Sequence, residues 1–388
     1  MTSKPPFGGE VVRLGELIES SKAKNKDGLF ADVYSVTNSH GFVPSQEYFN
    51  KEVYSKELRT YRVVHRNMIA YNPSRINVGS VAVQDKVDNA IVSPLYVVFS
   101  ADETKVIPGY LVRFLRSKPG LDQIAQQSIG TVRSNLKFDA LCKMQMPLPS
   151  LQAQVERMNK LTLVEQLADD CEHYLFHLDE LVKSRFVEMF GTLEHPRYTI
   201  VELQDICAYI VDCPHETPKY DGMLEYPAIR TSELVGTTID WSSMKYVSEE
   251  EYQRRTRRLI PQPGDIVYAR EGTYGSAAIL PDGYRFCLGQ RTMLFRADAS
   301  VCLPQYLLFA ITSPDVKGQA DLLNVGSTVP HVNVKDAKRF RIPLPSLALQ
   351  REFADFATRV DKLRVEAQVQ KEKLQTLYDS LAQDYFAI

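Results

Sequence analysis

Met146-Pro147-Leu148-Pro149-Ser150-Leu151 and Ile342-Pro343-Leu344-Pro345-Ser346-Leu347 are nearly the same stretch, and they lie 196 residues apart in a chain of 388. An offset of half the chain length indicates one architectural unit used twice. In each stretch a proline precedes a serine, whose hydroxyl can accept hydrogen bonds from the unpaired amides of a first helical turn. We therefore predict that a long helix follows each stretch.

Further identities occur at the same offset, so the repeat is not confined to the proline motif. Chance is a poor explanation for matches that share one offset with that motif. Between the matches the two halves differ widely, most of all in residues 18–60 and 207–258. The pattern predicts a shared scaffold that carries two different variable surfaces. The matching pairs are Gly79 and Gly275, Ser80 and Ser276, Phe99 and Phe295, Ala101 and Ala297, Asp102 and Asp298, Tyr110 and Tyr306, Leu111 and Leu307, Ser117 and Ser313, and Gly130 and Gly326.

Apolar residues recur every three or four positions after both proline motifs. This spacing is typical of a coiled-coil seam, which needs a partner helix of similar length. Gly191 and Pro196 close the first helix as expected. We predict that the two helices, each about 40 residues or about 60 Å long, pair antiparallel and place two domains at opposite ends about a pseudo-twofold axis. The alternative is that they are core helices of separate domains, although such helices usually have wider apolar faces. The predicted seam comprises Val164, Leu167, Cys171, Tyr174, Leu178 and Leu181, then Phe356, Val360, Leu363, Ala367, Gln370 (its one polar member), Leu374, Leu377 and Leu381.

The remaining parts of the chain favour mixed α/β domains with short strands. Leu95–Phe99 and Arg291–Phe295 are predicted strands, because they alternate or run apolar between turn residues. The segment 264–270 is predicted to be a turn leading into a buried strand. Its counterpart is residues 66–72, with a gap of about two residues relative to the main offset. Short helices are predicted at Tyr110–Arg116 and Tyr306–Thr312. The fold class is α+β: two pseudo-repeated α/β domains and a long antiparallel two-helix coiled coil.

Composition sets the outer limits. A hydrophobic content of 44% and a charged content of 24% are typical of soluble globular proteins. No run of about eighteen apolar residues occurs and the N-terminal stretch lacks a signal peptide's apolar segment, so we expect a cytoplasmic protein without a membrane partner. Six cysteines without a C-x-x-C pair predict free thiols. The net charge is −2, but the two helical segments are acidic, so the rest of the chain is positive by three charges. That balance permits phosphate contact without requiring it.

Enzyme motifs are weak in this sequence. Asn72-Pro73-Ser74-Arg75 is only faintly similar to the Asn-Pro-Pro-Tyr/Phe motif of adenine methyltransferases, because the second proline and the aromatic residue are missing. No phosphate-binding G-x-x-x-x-G-K-[ST] sequence occurs. His173 and His177 are four residues apart on a helix and could hold a metal, but they lie off the seam and no H-E-x-x-H occurs. We predict no catalytic residue and no metal ligand in this chain.

The whole chain resembles the specificity subunit of type I restriction–modification systems. The resemblance rests on the repeat, on the helix-entry motifs with Gln154 and Gln350 four residues into each helix, and on Pro261-Gln262-Pro263-Gly264-Asp265-Ile266-Val267. It implies a first target-recognition domain at 1–146, a first spacer helix at 147–191, a second target-recognition domain at 192–342 and a second spacer helix at 343–388.

The resemblance also implies a function. In that family each variable domain recognises one half of a bipartite double-stranded DNA sequence, and the helices fix the spacing between the halves. Two methyltransferase subunits dock on the helices, and ATP-driven restriction/translocase subunits join through the complex. The cofactors S-adenosylmethionine, ATP and Mg are therefore expected on the partner subunits, with none in this chain.

Candidate DNA contacts follow from side-chain chemistry, because Arg, Lys, Asn, Gln, Ser and Thr on loops read base edges or hold phosphates. The segment after each predicted Ile-Ala-Tyr or Ile-Val-Tyr strand is favoured, although a solvated surface role is open for each residue. We expect Arg75→Ala and Arg270→Ala each to weaken binding without unfolding the protein. The candidates are Tyr71, Asn72, Ser74, Arg75, Asn77 and Arg133 in the first half, and His215, Thr217, Lys219, Tyr220, Arg230, Arg270, Thr273, Tyr274, Arg291 and His331 in the second.

Two other functional classes stay open at this point. One is a coiled-coil adaptor whose domains bind protein instead of DNA. The other is an unrecognised nuclease with a dispersed carboxylate site. Binding to duplex DNA with and without a methyltransferase partner would distinguish the adaptor, and metal-dependent cleavage by the isolated chain would reveal the nuclease.

Overall fold

The computed structural model describes residues 9–48, 57–127, 135–222, 225–324 and 331–388. The chain divides into two compact units. The first unit contains residues up to Glu172 together with Gln368–Ile388, and the second unit is His173–Ala367. The boundaries cut each long helix near its middle, so each unit contains one α/β domain and one half of each long helix.

The first half of the chain contains ten strands and five α-helices among its described residues. The strands are β1 (Glu10–Arg13), β2 (Ile18–Ser21), β3 (Tyr34–Val36), β4 (Phe42–Pro44), β5 (Arg62–His65), β6 (Ile69–Tyr71), β7 (Val81–Val83), β8 (Asn89–Val92), β9 (Val97–Ala101) and β10 (Gln145–Leu148). The helices are α1 (Ser45–Tyr48), α2 (Pro108–Arg116), α3 (Lys118–Gln127), α4 (Phe138–Leu141) and the long α5 (Leu151–Phe190).

The second half contains a related set of elements. Its strands are β11 (Ile200–Glu202), β12 (Cys207–Asp212), β13 (Tyr226–Ile229), β14 (Leu234–Val235), β15 (Thr238–Ile239), β16 (Lys245–Val247), β17 (Ile266–Ala269), β18 (Ala277–Ile279), β19 (Cys287–Leu288), β20 (Thr292–Ala297) and β21 (Arg341–Pro343). Its helices are α6 (Glu249–Arg255), α7 (Pro304–Ile311), α8 (Pro314–Leu323), α9 (Val334–Ala337) and the long α10 (Leu347–Phe386).

The central sheets of the two units have the same strand order. The order is β2-β9-β6-β7 in the first unit and β12-β20-β17-β18 in the second. In both, the strand that leads into the long helix, β10 or β21, pairs antiparallel with the first strand of its domain. The predicted mixed α/β repeat is therefore confirmed within each unit.

Strand register refines the predicted repeat. Ile69 pairs with Phe99 and Ile266 pairs with Phe295, so Tyr71 and Tyr268 occupy equivalent positions at an offset one residue longer than that of the proline motifs. The following strands return to the main offset, since Val81 faces Tyr71 and Ala277 faces Tyr268. The gap is thus one residue and not about two, and it lies in the loop after the strand.

The sheets fold because one face of each carries apolar side chains that α2 or α7 covers. Phe99 and Phe295, equivalent central-strand residues, are fully buried, as are Tyr110 and Tyr306 on the covering helices. Each covering helix begins with a proline, Pro108 or Pro304, whose fixed φ suits a first helical position. These cores fix the positions of the loops at the sheet ends.

The two long helices pair antiparallel within each unit. In the first unit, Lys371 Nζ lies 2.9 Å from Glu172 Oε2, and Arg157 donates to the Tyr385 carbonyl over 3.3 Å. In the second unit, Arg185 lies 3.2 Å from Glu352, and Arg364 forms an ion pair with Asp179. Rising numbers on α5 meet falling numbers on α10 in both cases, so the predicted antiparallel pairing is confirmed.

Nearly half of the predicted seam positions are wrong by one residue. Val164 and Leu178 are buried as predicted, but Leu167 is 43% exposed, and the adjacent Ala168 is more buried. The inward row from Gln154 to Phe190 follows the 3.6-residue period of a straight helix and not the 3.5 of a strict heptad. Ala168, Leu175 and Val182 therefore replace Leu167, Tyr174 and Leu181, and Arg364, Lys371 and Tyr378 replace Leu363, Gln370 and Leu377.

The helix ends also belong to the domain cores, as the alternative interpretation expected. Phe190 at the end of α5 packs against Tyr306 with ring centroids 4.9 Å apart. Phe386 at the end of α10 packs against Tyr110 over 5.1 Å. The two phenylalanines are related by the repeat offset, as are the two tyrosines, so each domain is covered by the end of one long helix and the start of the other.

A buried glutamine fixes the start of each long helix. The Gln154 side chain accepts from Ile107 N at 2.9 Å and donates to the carbonyls of Lys105 and Pro149 at 2.9 Å. Gln350 repeats all three bonds at the equivalent position of the second half, with Leu303, Val301 and Pro345. Both glutamines are 0% exposed. An amide that is both donor and acceptor satisfies three otherwise unpaired backbone groups here.

We expect Gln154→Ala and Gln350→Ala to lower the free energy of unfolding by about 2–4 kcal/mol each, because buried backbone groups lose their partners. Urea denaturation followed by circular dichroism measures this loss. Gln152→Ala, at an exposed position two residues away, should change stability by less than about 0.5 kcal/mol. Unequal losses at the two buried positions would contradict the equivalence of the two helix starts.

Candidate nucleic-acid interface

The candidate residues gather at one end of each central sheet. In the first unit β2 and β6 both end there, because both run antiparallel to β9. In the second unit β12 and β17 end at the corresponding place, on either side of the start of β20. We call these ends the first and second loop edges. Loops at the end of a rigid sheet are common positions for binding residues.

The β6–β7 loop carries the polar residues of the first loop edge. Asn72 Oδ1 accepts from the amide and hydroxyl of Ser74, at 3.1 and 2.9 Å, and fixes a local turn. Ser74, Arg75 and Asn77 are exposed after that turn. Within the described chain, no ion pair or hydrogen bond of the Arg75 guanidinium is found. Its charge is available to an anionic partner.

Tyr71 must be removed from the predicted set. Its ring is fully buried at the end of β6, and its hydroxyl donates to the Leu136 carbonyl over 3.0 Å. Burial raises the pKa of this phenol above its ordinary value. The sequence pattern could not distinguish this core tyrosine from an exposed one, because the strand ends at this residue.

Three lysines on the first loop edge were missed by the sequence reasoning. Lys22, Lys24 and Lys26 are exposed directly after β2. Their spacing of two residues in a polar segment was a visible signal. Lys22 lies one residue beyond the end of β2, at the same sheet end as the β6–β7 loop, so exposed lysines begin at this edge.

The second loop edge instead carries an ion-pair chain. Arg270 lies 2.9 Å from Asp212 and 3.5 Å from Glu271, and Arg291 lies 3.0 Å from Glu271. His215 Nε2 lies 3.6 Å from Asp212. The Arg270 side chain is only 12% exposed. Each predicted arginine here is thus largely neutralised within the protein.

The Arg270 pairing changes one expectation from the sequence. Arg270→Ala would remove the partner of Asp212, whose Oδ1 is buried without a hydrogen bond among the described residues. Loss of one partner from a mostly buried ion pair is destabilising. We therefore expect this variant to lose stability, whereas the sequence predicted a loss of binding alone.

Arg230 is also engaged internally. Its amide and Nε donate to Glu233 Oε2 at 2.8 and 3.1 Å, and Nη2 donates to the Ser243 carbonyl at 3.0 Å. Glu233 is fully buried, and its hydrogen bond raises the pKa of the Arg230 guanidinium. Tyr220 lies against Arg230 and under Lys245, whose Nζ is 4.9 Å from the ring centroid. Arg230 and Tyr220 therefore contribute to the structure around the loop as much as to its surface.

Arg255 on α6 holds the loop that contains His215, Thr217 and Lys219. Its side chain is 0% exposed and donates to the carbonyls of Pro214 and Glu216, at 3.4 and 3.1 Å. His215, Thr217 and Lys219 are exposed along the loop. Arg255 was not among the predicted residues, because a buried arginine cannot be recognised from local sequence pattern alone.

The remaining candidates lie on the β17–β18 loop or beside it. Thr273 is exposed, and its hydroxyl donates to the Thr231 carbonyl over 3.2 Å. Tyr274 donates its hydroxyl to Asp321, which raises the pKa of the phenol. His331 is exposed and its backbone pairs with Glu271. The second loop edge thus brings together His215, Arg270, Thr273, Arg291 and His331.

A family model agrees with this geometry. The model described as the type I restriction modification DNA specificity domain matches residues 198–375. Residues 198–375 are thus similar to the DNA specificity domain of type I restriction–modification systems, over slightly less than half of the chain. The match includes the second loop edge, the second sheet and most of α10.

Relatives of the specificity family extend the likeness to the whole chain. The type I restriction enzyme MjaVIII specificity subunit of Methanocaldococcus jannaschii is 23% identical, over 95% of this chain and 90% of that protein. A solved structure concerned with complex assembly and conformational transition of the type I restriction–modification system has a TM-score of 0.64 at 16% identity, covering 99% of both chains. The S subunit from M. genitalium has a TM-score of 0.54 at 13% identity, covering 100% of this chain and 98% of that one. At these identities the solved structures show the fold.

Other predictions from the sequence concern Arg133, metal ligands and the cysteines. Arg133 lies outside the described residues, as do Gly130 and Gly326 of the repeat. Over the described ranges, no group of three or more metal-ligating side chains is found, and His173 and His177 are exposed on α5. All six cysteines are free thiols, as predicted.

Proposed function

We propose that each unit of this chain recognises one half of a bipartite double-stranded DNA sequence. One observation carries the proposal: two sheets of identical strand order present different polar side chains at the same end. Exposed polar groups on a rigid scaffold are suited to reading base edges and phosphates. Because the first loop edge is lysine-rich and the second is an ion-pair chain, the two half-sites should differ in sequence.

Members of the specificity family recognise DNA and assemble with other subunits that hold the catalytic activity. The family match does not favour the adaptor alternative. We propose that S-adenosylmethionine, ATP and Mg are bound by the partner subunits. None of the described helices has the length and apolar character to cross a membrane, and we propose a cytoplasmic location.

The long helices support the proposal of two methyltransferase subunits. Leu167 and Leu363 are 43% and 42% exposed, and Leu181 and Leu377 are 48% and 46% exposed. The members of each pair are related by the repeat offset, so the same outward apolar feature occurs twice. A feature that occurs twice can bind two copies of one partner. Mass measurement of the intact complex should give two methyltransferases for each specificity chain.

Duplex binding tests the central proposal. The target is first identified by methylation sequencing of DNA from cells that carry the complete system. Mobility shifts are then compared for that duplex, for duplexes with either half scrambled, and with the methyltransferase present or absent. Each scrambled half should weaken binding at least about tenfold, since each mismatched base pair costs about 1–3 kcal/mol. Equal affinity for all duplexes would overturn the proposal.

We expect Arg75→Ala to weaken binding of the target duplex by about threefold to thirtyfold without changing the free energy of unfolding, because the exposed guanidinium has no hydrogen bond or ion pair to a described residue. Fluorescence anisotropy with labelled duplex measures the affinity. Lys143→Ala, which removes the same charge from an exposed position outside the β6–β7 loop, is the control. Equal effects of the two substitutions would remove Arg75 from the interface.

A further inference from the structure

The predicted cations of the second loop edge supply little net charge. Arg230 is paired with Glu233, Arg270 with Asp212 and Arg291 with Glu271. Affinity for a nucleic-acid backbone depends on cations that can replace the counterions of phosphate groups. The first loop edge has such cations in its exposed lysines. Among the lysines and arginines that the sequence selected at the second loop edge, Lys219 alone is exposed without an ion pair to a described residue. One free lysine replaces few counterions, so further phosphate contacts in the second unit would need another surface.

A cleft in the second unit has the required charge. It has a volume of about 870 Å³ and is open to solvent. Arg257, Arg258 and Arg285 line it, and Asp282 is the acidic residue among its described lining. Arg257 and Arg258 are exposed just after α6. Across the ranges that the structure describes, neither has an ion pair or hydrogen bond to its guanidinium group, so both charges face the cleft uncompensated.

The third arginine is held in place by two aromatic rings. The Arg285 guanidinium lies 4.8 Å from the centroid of Tyr226 and 4.9 Å from that of Tyr252, and it donates to the Tyr226 hydroxyl over 3.1 Å. The two rings are stacked with centroids 4.7 Å apart. Cation–π contact and a neutral acceptor position the guanidinium without cancelling its charge.

One residue of the cleft, Arg258, lies next to residues of the second loop edge. Arg258 lines the cleft and also a narrow crevice that Asp212 and Arg255 line. Asp212 belongs to the ion-pair chain of the loop edge, and Arg255 holds the loop that carries His215. Arg258 therefore lies between the cleft and the residues that hold the second loop edge.

We propose that this cleft binds the sugar–phosphate backbone of the duplex next to the second half-site, through Arg257, Arg258 and Arg285. The inference rests on the proposed DNA recognition and assigns different roles to two surfaces of the second unit. The loop edge reads sequence, and the cleft supplies affinity that does not depend on sequence. The phosphate contacts of the second unit thus come from residues outside its loop edge.

Salt dependence of binding tests the cleft. The complex of the full chain with its methyltransferase partner is titrated with target and unrelated duplexes over a range of salt concentrations. Arg257→Ala/Arg258→Ala should weaken binding of both duplexes by a similar factor, about tenfold or more. The slope of log affinity against log salt concentration should fall in magnitude by about two, since each phosphate contact contributes about 0.9. Lys338→Ala/Arg339→Ala, the same charge change at exposed positions outside the cleft lining, is the matched control.

Different results would overturn the cleft proposal and the proposed function. A slope change no larger than that of the control would overturn the cleft proposal. A loss of affinity confined to the target duplex would also overturn it, because that result indicates base recognition. A loss of methyltransferase binding would overturn it too, because that result indicates an acidic protein partner for the cleft. A wild-type complex that does not prefer its target duplex would instead overturn the proposed function, whatever the slope.

The single tryptophan gives an independent readout. Trp241 is the chain's one tryptophan, and its ring centroid lies 4.6 Å from that of Tyr284, which lines the cleft. Titration of the full-length chain with a short duplex should change the tryptophan emission. The change should be absent in the Arg257→Ala/Arg258→Ala variant at the same duplex concentration. Unchanged emission in the wild-type chain at saturating duplex would count against the cleft.

Discussion

Insertion of four residues after Leu167 should change the distance between half-sites that the complex accepts. Four residues add about 6 Å of helix, which corresponds to roughly one to two base pairs at 3.4 Å per base step. They turn the following residues by only about 40°, because four residues are close to one turn of 3.6. Methylation of the original target should fall at least about tenfold, and a target with one or two additional base pairs between its halves should become the better substrate.

The same four residues inserted after Lys86 serve as the control, because that position is in an exposed turn between β7 and β8. Methylation of a series of targets that differ only in the gap measures the preference. An unchanged gap preference in a variant that still assembles with its methyltransferase would mean that the helices do not set the spacing.

Phe353→Ala should cause the largest loss of stability in the second unit, about 3–5 kcal/mol. The side chain is fully buried, and its ring centroid lies 5.3 Å from Phe186, 5.5 Å from Phe190 and 5.2 Å from Phe309. Phe353 is on α10, so truncation removes its contacts with α5 and with α7 at once. Urea denaturation followed by Trp241 emission reports this unit specifically, since the single tryptophan lies within it.

Phe176→Ala is the matched control for this substitution. Phe176 lies on α5 but is 61% exposed, so its loss should cost less than about 0.5 kcal/mol. A Phe353→Ala variant with the wild-type denaturation midpoint would show that the aromatic cluster does not couple the helices to the sheet.

The fold was predictable where sequence similarity and local pattern agree. The half-length offset identified the repeat, and the serine after each proline motif marked the helix starts; Ser150 Oγ accepts from Ala153 N at 3.3 Å. The inward face of the helices was predicted only in part. Apolar residues such as Leu167 stand at outward positions, whereas Arg364 and Lys371 stand at inward ones, where their long side chains reach acids on α5. Hydrophobicity alone could not show that assignment.

The candidate site was less predictable, because its residues depend on tertiary partners. Arg75 and Arg270 look alike in sequence, each following a buried strand. The structure leaves Arg75 exposed and pairs Arg270 with Asp212, which lies 58 residues away in the chain. Likewise, Tyr71 became a core residue because Leu136 supplies a buried acceptor. No local pattern contains that information.

The two buried glutamines hold the helix starts independently of the loop edges, which differ between the two units. Their side chains bond only to backbone groups near the helix starts, so among the described residues neither glutamine depends on a side chain of a loop edge. Many residues of the loop edges can therefore be substituted during evolution while the sheets and long helices stay intact. Under the proposed function, substitutions at the loop edges could change the recognised DNA sequence without altering how the helices are attached.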